Sequence, residues 1–393
     1  MSPKTSRFFL PFIAVLLFNP AAPSQQLSHT TTAINVEVPV RVYQGDTFVD
    51  HLTINDFEVF ENGKLQQIEA VYLIKKTDIR REEGDKAIRP RLGRTFVFLF
   101  EMREWLPELD QAMGYFFDKV ILPGDSLEFA TPVKPYRLKP DVLAKTPRDR
   151  IKDQFVEKVK KDIIFSGSQE TNLLAELRQD AAAMELQTYR SHLAQLEQLR
   201  KIDEQGLLAF ARELKKQDGQ KTVFLFYQKE LLPQVNLKKL NETLTVVTDE
   251  VYTEMDAADL LEFYKREPLF SVDTVKKAYS DSSMSIHFLF ITKSRSFGMD
   301  INEMQPPDGV IMVDKSEDIF SAFNEIARAT GGITESSFNI GKAFQKAVDA
   351  SENYYLLYYR PKDYQADGKF KDIKVNVKTG GYRVTHRAGY FAN

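Results

Sequence analysis

One apolar run, residues 96–100 (FVFLF), constrains the fold more than any other part of the sequence. The run shows no alternation between apolar and polar residues. This pattern is typical of a strand that is covered on both faces, as in the centre of a parallel sheet. Runs of the same kind occur at 222–226 (TVFLF) and 286–291 (IHFLFI). The sequence therefore predicts an α/β domain with a mostly parallel sheet over residues 94–350.

Polar residues follow the first two runs immediately, and they define a candidate site. Glu101, Arg103 and Trp105 come after the first run, and Tyr227 and Gln228 come after the second. In open α/β sheets, ligands bind outside the carboxyl ends of the strands. We therefore expect a ligand of this protein to bind at that edge of the sheet.

Alternating segments, typical of half-buried strands, lie on both sides of the α/β domain. Residues 32–76 contain VEVPVRV and an Asn62-Gly63 pair, which is a strong hairpin signal. Residues 352–393 contain NYYLLYY and IKVNV. Each unit has too few strands to cover its own apolar face. We expect the two units to pair into one small β-sandwich into which the α/β domain is inserted; two separate β units packed on the α/β domain are the alternative.

A helical pattern runs from about residue 173 to residue 216. At about 1.5 Å per residue, such a helix is too long for a crossover packed on one small sheet. We expect its distal part to project as a helical arm, alone or as a hairpin, and to offer apolar residues to a partner or to a second copy of the chain. Packing of the arm against residues 235–277 is the alternative. The apolar residues have heptad-like spacing and are Leu186, Tyr189, Leu193 and Leu196.

The N-terminus has the parts of a secretory signal peptide. Lys4 and Arg7 provide positive charge, residues 8–18 are apolar, and small residues follow. The apolar part is too short to span a bilayer comfortably, so we predict that residues 1–24 are cleaved and that the protein is periplasmic or secreted. An uncleaved anchor is the alternative. No second segment of the sequence is long and apolar enough to span a membrane, and the absence of cysteine means that the fold forms without disulfides.

Composition and motifs argue against several classes of function. The formal net charge of −3, without a basic patch interleaved with aromatic residues, disfavours nucleic-acid binding. The five histidines are scattered, and no His-Glu-x-x-His, Gly-x-Ser-x-Gly, phosphate-binding loop or dinucleotide glycine motif occurs. His287 lies inside an apolar run and is interpreted as a core residue with satisfied hydrogen bonds. The sequence therefore indicates no catalytic and no cofactor-binding residues.

Three stretches carry a resemblance to a known family. They are residues 36–68 (VEVPVRVYQGDTFVDHLTINDFEVFENGKLQQI), residues 122–129 (LPGDSLEF), and the segments IARATGG, NYYLLYYRPKDYQADGKFKDIKVNV and VTHRAGY after residue 325. The whole chain after the signal segment resembles the VWFA-related acidobacterial domain proteins, and its middle resembles a von Willebrand factor type A (VWA) domain. The resemblance implies a doubly wound α/β fold with a metal-ion-dependent adhesion site.

The site of that family is altered in this sequence. Type A domains that bind Mg²⁺ use an Asp-x-Ser-x-Ser run after the first strand, then a Thr and an Asp from two later loops, since a hard cation prefers oxygen ligands. Here Glu101, Arg103 and Trp105 occupy the positions of the run. Glu101 keeps a carboxylate, Arg103 places a cation where a hydroxyl is expected, and Trp105 supplies no oxygen. We expect the Arg103 guanidinium to pair with Glu101 in place of a metal.

The later loops keep little of the pattern. The Thr position is assigned to Thr171, and the Asp expected after the second run is replaced by Tyr227 and Gln228, so that at most two of the five ligand types survive. Residues 244–249 (LTVVTD) offer Asp249 as an alternative, but they lack a strand-boundary turn and lie in a helical pattern. The resemblance therefore implies a degenerate metal site, with Mg²⁺ binding disfavoured.

These observations predict an exported, non-enzymatic protein-interaction protein, of the adhesion or scaffold kind, whose VWA-like domain has lost its metal. Its partner is a protein whose identity the sequence does not give. Two alternatives stay open: a metal-dependent adhesion protein that uses the residual ligands, and a hydrolase whose site carries no known motif.

Overall fold

The computed structural model describes residues 34–229, 231–236, 270–292, 310–314 and 316–393. The predicted signal segment, the 244–249 segment and most of residues 235–277 lie outside the described residues. Residues Asn35–Asn393 form one compact unit. None of the helices in the described ranges is long and apolar enough to cross a membrane.

The described residues contain strands at both ends of the chain and helices between them. The strands are β1 (Val36–Gln44), β2 (Thr47–Phe48), β3 (Phe57–Glu61), β4 (Lys64–Gln66), β5 (Ile68–Lys75), β6 (Asp78–Gly84), β7 (Arg94–Glu101), β8 (Ser126–Ala130), β9 (Pro135–Leu138), β10 (Gln220–Gln228), β11 (Leu231–Val235), β12 (Met284–Ile291), β13 (Val310–Asp314), β14 (Thr334–Ser337), β15 (Asn353–Tyr359), β16 (Phe370–Val377), β17 (Arg383–His386) and β18 (Gly389–Phe391). The helices are α1 (Glu108–Tyr115), α2 (Pro140–Lys145), α3 (Arg148–Ala183), α4 (Leu186–Leu199), α5 (Glu204–Lys215), α6 (Val272–Asp281), α7 (Glu317–Ala329) and α8 (Ile340–Glu352).

The central sheet has the strand order β14-β12-β10-β7-β8-β9. All neighbours are parallel except β9, which pairs antiparallel with β8 at one edge. Counted along the chain, the six strands lie in the order 3-2-1-4-5-6, so the order reverses between β7 and β10. The prediction of a mixed α/β fold is confirmed.

The apolar run of β7 forms the centre of this sheet because both of its faces are covered. Phe96, Phe98 and Phe100 point to one face and pack with residues of α1, α3 and α8. Val97 and Leu99 point to the other face and pack with residues of α5, α6 and α7. This division fixes which helices can contribute to a site on each face.

Two antiparallel sheets combine strands from the beginning and the end of the chain. One has the order β17-β1-β15-β5-β6, and the other has the order β18-β16-β3-β4. In the first, Val38 of β1 is paired with Leu357 of β15; in the second, Val59 of β3 is paired with Val375 of β16. All four of these residues are buried in one apolar cluster shared by the two sheets. Together the sheets form a curled antiparallel half-barrel.

The helical pattern over residues 173–216 is divided among three helices, and its first part folds back as a hairpin, one of the two forms expected for the arm. Helix α3 begins much earlier, at Arg148, and ends at Ala183, where Met184 adopts a left-handed conformation with φ 59°. Helix α4 then reverses direction and packs along α3, and α5 follows as a separate helix. A left-handed residue at a helix C-terminus is a common stop signal, but it is usually glycine. A methionine at this position therefore gives no sequence signal for the end of α3.

The four heptad-spaced residues are buried, and the expectation that they face a partner is wrong. They pack against the distal part of α3 and against β11 and β13. Folding α4 back on α3 buries an apolar stripe that a projecting helix would leave in water. Self-association through the arm stays a prediction. The buried residues are Leu186, Tyr189, Leu193 and Leu196.

Candidate functional site

A cleft of about 520 Å³ opens at the carboxyl end of β7, between the segment that follows this strand and helix α3. It lies beside the point where the strand order reverses, which is where ligands bind in open α/β sheets. Three of the six candidate residues line it, namely Arg103, Trp105 and Thr171. The other lining residues are Glu104, Pro107, Asp110, Lys160, Ile164, Gly167, Ser168 and Asn172.

Helix α3 approaches the segment after β7 unusually closely, and Gly167 permits this. A Cβ atom at Gly167 would lie 1.7 Å from the carbonyl oxygen of Arg103, which no side chain could tolerate. The lining residues of α3 recur at three- and four-residue spacing from Lys160 to Asn172, so they form one stripe on the helix surface. The floor of the cleft is therefore backbone of one element packed on backbone of the other.

Arg103 binds α3 and the end of β10. Its Nη1 donates to Oε1 of Glu170 at 2.9 Å. Its Nη2 donates to the carbonyl oxygen of Gln228 at 3.4 Å and also to that of Lys229. The predicted pairing of Arg103 with Glu101 is wrong, because the guanidinium turns toward α3 and finds its carboxylate there.

Glu170 is shared between two arginines. The same Oε1 that binds Arg103 accepts a hydrogen bond from Nε of Arg200 at 3.0 Å and another from Nη2 of Arg200. Burial by itself would raise the pKa of Glu170, but the positive charges of Arg200 and Arg103 outweigh it and hold the pKa below its usual value. Glu170 is therefore an anion that links the segment after β7 to the end of α4.

The Gln228 amide holds the segment after β7 in place. Its Oε1 accepts from the backbone N–H of Arg103 at 3.0 Å and from that of Glu104 at 3.3 Å. Its Nε2 donates to Oε1 of Glu104 at 2.8 Å. A buried amide that makes these contacts is occupied by the protein itself, so Gln228 is a structural member of the site rather than a free ligand.

Glu101 and Tyr227 lie away from the cleft. Strand alternation places Glu101 on the face of Val97 and Leu99, and Tyr227 is its register partner on β10. The Tyr227 ring stacks on Phe290, with ring centroids 6.3 Å apart. The structure therefore separates these two candidates from Arg103, Gln228 and the cleft.

The Glu101 carboxyl lies in a crowded position at the strand end. Desolvation by the surrounding protein raises its pKa to about 7. More than a third of the residue is nevertheless accessible, so water reaches the carboxyl and moderates this rise. No hydrogen bond or ion pair joins Glu101 to another residue of the described ranges. The structure therefore leaves Glu101 outside the network that joins Arg103 to α3.

Trp105 and Thr171 are placed at the mouth of the cleft. Nε1 of Trp105 donates to Oδ2 of Asp110 at 3.2 Å, and the ring packs on the central core. Thr171 is exposed on α3. Both side chains can contact a ligand without displacing another contact of the protein core.

Sequence reasoning missed Glu170 and Arg200, and also the eight lining residues outside the six candidates, among them Lys160 and Gly167. Glu170 directly precedes Thr171, yet nothing in the sequence associates it with arginines 67 positions before it and 30 positions after it. Within the described ranges, no three His, Cys, Asp or Glu side chains are arranged to hold a metal ion.

His287 lies in the core, away from the cleft. Its ring is stacked near Phe224, with centroids 5.5 Å apart, and neither ring nitrogen has a hydrogen-bond partner in the described part of the chain. The interpretation as a core residue is right, but its hydrogen bonds are not satisfied by described residues. Burial, with a smaller contribution from Arg41, holds the pKa of His287 well below its usual value, so the ring is neutral.

Comparison with known proteins adds little to this description. No protein-family model matches the chain, and no curated protein matches it. Among solved structures, the chain is similar to the human COPII-coat protein Sec24c, with a TM-score of 0.31 and 8% sequence identity over 84% of this chain and 46% of that chain. The chain thus spans less than half of that protein's length. A likeness of this strength carries no argument about fold or function.

Proposed function

We propose that this protein is an exported, non-enzymatic interaction protein that binds a protein partner at the carboxyl edge of its central sheet without a metal ion. In this proposal the central sheet and its helices form a VWA-like domain, inserted into a β-sandwich formed by both ends of the chain. The strand order 3-2-1-4-5-6 and the shared outer sheets support this arrangement.

The observation that carries the proposal is the position of the Arg103 guanidinium. It is a fixed cation between Glu170 and the carbonyl groups that end β10. A divalent cation bound beside it would meet a like charge. It would also compete for oxygen atoms that already accept hydrogen bonds from Arg103. The edge is therefore organised by an internal cation and is suited to binding without Mg²⁺.

The side chains in the cleft favour binding over catalysis. No histidine is among the described residues that line it. The Ser168 hydroxyl donates to the carbonyl oxygen of Phe165, which is too weak a base to activate it as a nucleophile. The cleft instead combines an indole ring, hydroxyl groups and one amine, which is a composition typical of a recognition surface.

Metal independence is tested by thermal unfolding of the full chain with Mg²⁺, with Mn²⁺ and with a chelator. We expect the same Tm in all three conditions, because a ligand that binds only the folded state would raise it. The Glu101→Ala variant should behave as the parent does. A rise in Tm of the parent protein with either ion would overturn the proposal in favour of the metal-dependent alternative.

Partner binding is tested by photo-cross-linking in an envelope extract. A photoreactive residue at Thr171, on the lip of the cleft, should capture a protein, with the same yield in chelator and in Mg²⁺. The control places the same residue at Asp46, in the exposed turn between β1 and β2. Equal capture from both positions would contradict binding at the cleft.

Export is tested by N-terminal sequencing of the native protein. The positive residues, the apolar segment 8–18 and the small residues after it lead us to expect a mature N-terminus near Gln25. Retention of residues 8–18 in the native protein would contradict cleavage.

A further inference from the structure

We infer that the cleft receives an extended segment of the partner in which an acidic side chain pairs with Lys160 and an apolar side chain, two residues away, packs between Ile164 and Trp105. This inference rests on the proposed function and names the chemistry of the partner at the same site. It follows from the charges, the apolar surface and the spacing of the residues that line the cleft.

Among the described charged side chains that line the cleft, Lys160 is the one without a hydrogen-bonding or ion-pair partner. Lys160 forms no ion pair or hydrogen bond with any residue in the described ranges, whereas the other charged lining residues are engaged. Arg103 binds Glu170, Glu104 binds the Gln228 amide, and Asp110 binds the Trp105 indole. An ammonium group at the edge of a cleft, with no carboxylate of its own, is complementary to one carboxylate of a ligand.

The apolar surface of the cleft lies directly beside this amine. Ile164 is 53% exposed, which is unusual for isoleucine in the middle of a long helix. Trp105 and Pro107 form the opposite wall. Covering this surface with an apolar side chain of a ligand would remove it from water and favour binding.

The spacing of Lys160 and Ile164 fits an extended peptide. Four residues of helix separate them by about 6 Å along the axis of α3. In an extended chain, side chains two residues apart point the same way and are separated by about 6.6 Å. An acidic-x-apolar sequence running along α3 therefore matches both residues at once. Ser168, Thr171 and Asn172 continue the same stripe and offer hydrogen bonds to the peptide backbone.

The remaining charges in the cleft favour a peptide over a polyanion. Glu104 and Asp110 lie in the wall opposite α3, so a nucleic acid or a charged lipid surface would bring its repeated negative charges against them. One carboxylate can reach Lys160 while its uncharged neighbours pass these residues. The cleft thus selects a single acidic group flanked by neutral or apolar residues.

Intrinsic fluorescence tests the inference directly, because Trp105 is the only tryptophan of the chain. The probe is the acetylated and amidated peptide Ser-Glu-Ser-Leu-Ser, whose one charge is the Glu side chain. We expect a saturable change in Trp105 emission. The Gln analogue should bind about fivefold more weakly, which is the scale of one exposed ion pair. The difference should shrink as salt is raised.

Two variants provide the matched comparison. Lys160→Glu should lose the preference for the Glu peptide over the Gln peptide, while Lys161→Glu, the next residue of the same helix but outside the cleft lining, should keep it. Equal binding of the two peptides by the parent protein, equal behaviour of the two variants, or no change in emission with either peptide would overturn the inference. Tighter binding of a Ser-Ser-Ser-Leu-Ser peptide with a free C-terminal carboxylate would also overturn it.

Failure here is distinguishable from failure of the proposed function. If cross-linking from Thr171 captures a partner in chelator while the peptides do not bind, the cleft is an interaction site with a different ligand chemistry. If the peptides bind but no partner is captured from Thr171 above the Asp46 control, the acidic-apolar specificity holds and the proposed envelope partner is wrong.

Discussion

The central sheet has an arginine–carboxylate pair at each end of its strands, called here the amino edge and the carboxyl edge. The two pairs have different surroundings. At the amino edge, Nη2 of Arg94 lies 2.6 Å from Oδ2 of Asp125, and the two side chains are 8% and 4% exposed. At the carboxyl edge, Nη1 of Arg103 lies 2.9 Å from Oε1 of Glu170, and the side chains are 17% and 15% exposed. The first pair is enclosed by protein, whereas the second forms part of a cleft that is open to solvent.

The difference follows from what each edge contacts. At the amino edge, buried polar groups join the central sheet to the outer strands: Arg41 of β1 donates to the carbonyl groups of Gly331 and Ala350, and Arg387 donates to the Ser283 hydroxyl. These contacts occupy the amino edge with parts of the same chain. The side chains at the carboxyl edge are thus more accessible to solvent. If the Arg103–Glu170 pair were enclosed as the Arg94–Asp125 pair is, a ligand could not contact it. An arginine pair can therefore either join two parts of a fold or organise a site, depending on what covers it.

We expect the largest loss of stability from a substitution that breaks the buried ion pair at the amino edge. Arg94→Ala leaves the Asp125 carboxylate buried without its bidentate partner, and it also removes the hydrogen bond from Arg94 to the Val120 carbonyl. We expect the free energy of unfolding to fall by about 3–5 kcal/mol, the cost of breaking a buried pair. Urea denaturation measures this change.

The control for Arg94 is Arg137, which pairs with Glu128 but is 65% exposed. Arg137→Ala should lower the free energy of unfolding by about 1 kcal/mol or less. Similar losses for Arg94→Ala and Arg137→Ala would mean that the amino edge is not the enclosed junction described above.

The next largest loss is expected from a substitution that pushes the backbone of α3 away from the segment after β7. Gly167→Ala places a methyl group 1.7 Å from the Arg103 carbonyl oxygen, so α3 or the segment after β7 must move. We expect a loss of about 1–3 kcal/mol, as for overpacked sites. Urea denaturation measures the stability, and the emission of Trp105 reports the movement.

Gly114 in α1 is the matched control, since a Cβ there meets nothing within 4 Å. Gly114→Ala should raise the free energy of unfolding by up to about 1 kcal/mol, because alanine favours the helix. If both substitutions had the same sign, the close approach at Gly167 would not be a constraint.

Sequence patterns predicted the framework of the sheet better than its edges. A run such as FVFLF is read locally, because burial on both faces leaves no polar position in it. The break at Met184 was missed, since a left-handed residue other than glycine or asparagine gives no sequence signal. Of the polar residues chosen after β7 and β10, Arg103 and Trp105 line the cleft at the carboxyl end of the sheet.

The contacts within that edge could not be predicted in the same way. Arg103 was expected to pair with its sequence neighbour Glu101, but strand alternation turns Glu101 to the opposite face. Its actual partner Glu170 lies on α3, and only the packing of α3 at Gly167 brings it within reach. A hydrogen bond between side chains of distant elements forms only when the helix is placed accurately. The spacing of apolar residues in the sequence shows which face of a helix is buried but not how closely it approaches its neighbour.

We expect a smaller loss of stability when the arginine at the carboxyl edge is removed. Arg103→Ala takes away one partner of Glu170, but Arg200 continues to neutralise that carboxylate. We expect a loss of about 1.5–2 kcal/mol, at the lower end of the range for a hydrogen bond to a charged group and below the loss for Arg94→Ala. Urea denaturation again provides the measurement. A loss as large as that of Arg94→Ala would show that the two edges are equally enclosed.

The smallest effect concerns the acid side of the stability profile. The pKa of Glu170 is lower in the folded protein than its ordinary value of 4.5, because Arg200 and Arg103 outweigh the cost of burial. Near that ordinary value the unfolded chain therefore binds more protons than the folded protein, so stability rises with pH there. The contribution of Glu170 is complete above about pH 4.5 and is lost as the pH falls through the lower, folded pKa.

Urea denaturation from neutral pH to about pH 3 should thus show the parent protein losing its stability advantage over Glu170→Gln as the pH falls. Glu157→Gln, an exposed change on the same helix, should follow the parent throughout. A constant difference between the parent and Glu170→Gln at every pH would mean that the two arginines hold Glu170 by shape alone, and the carboxyl edge would then lack the charge balance that separates it from the amino edge.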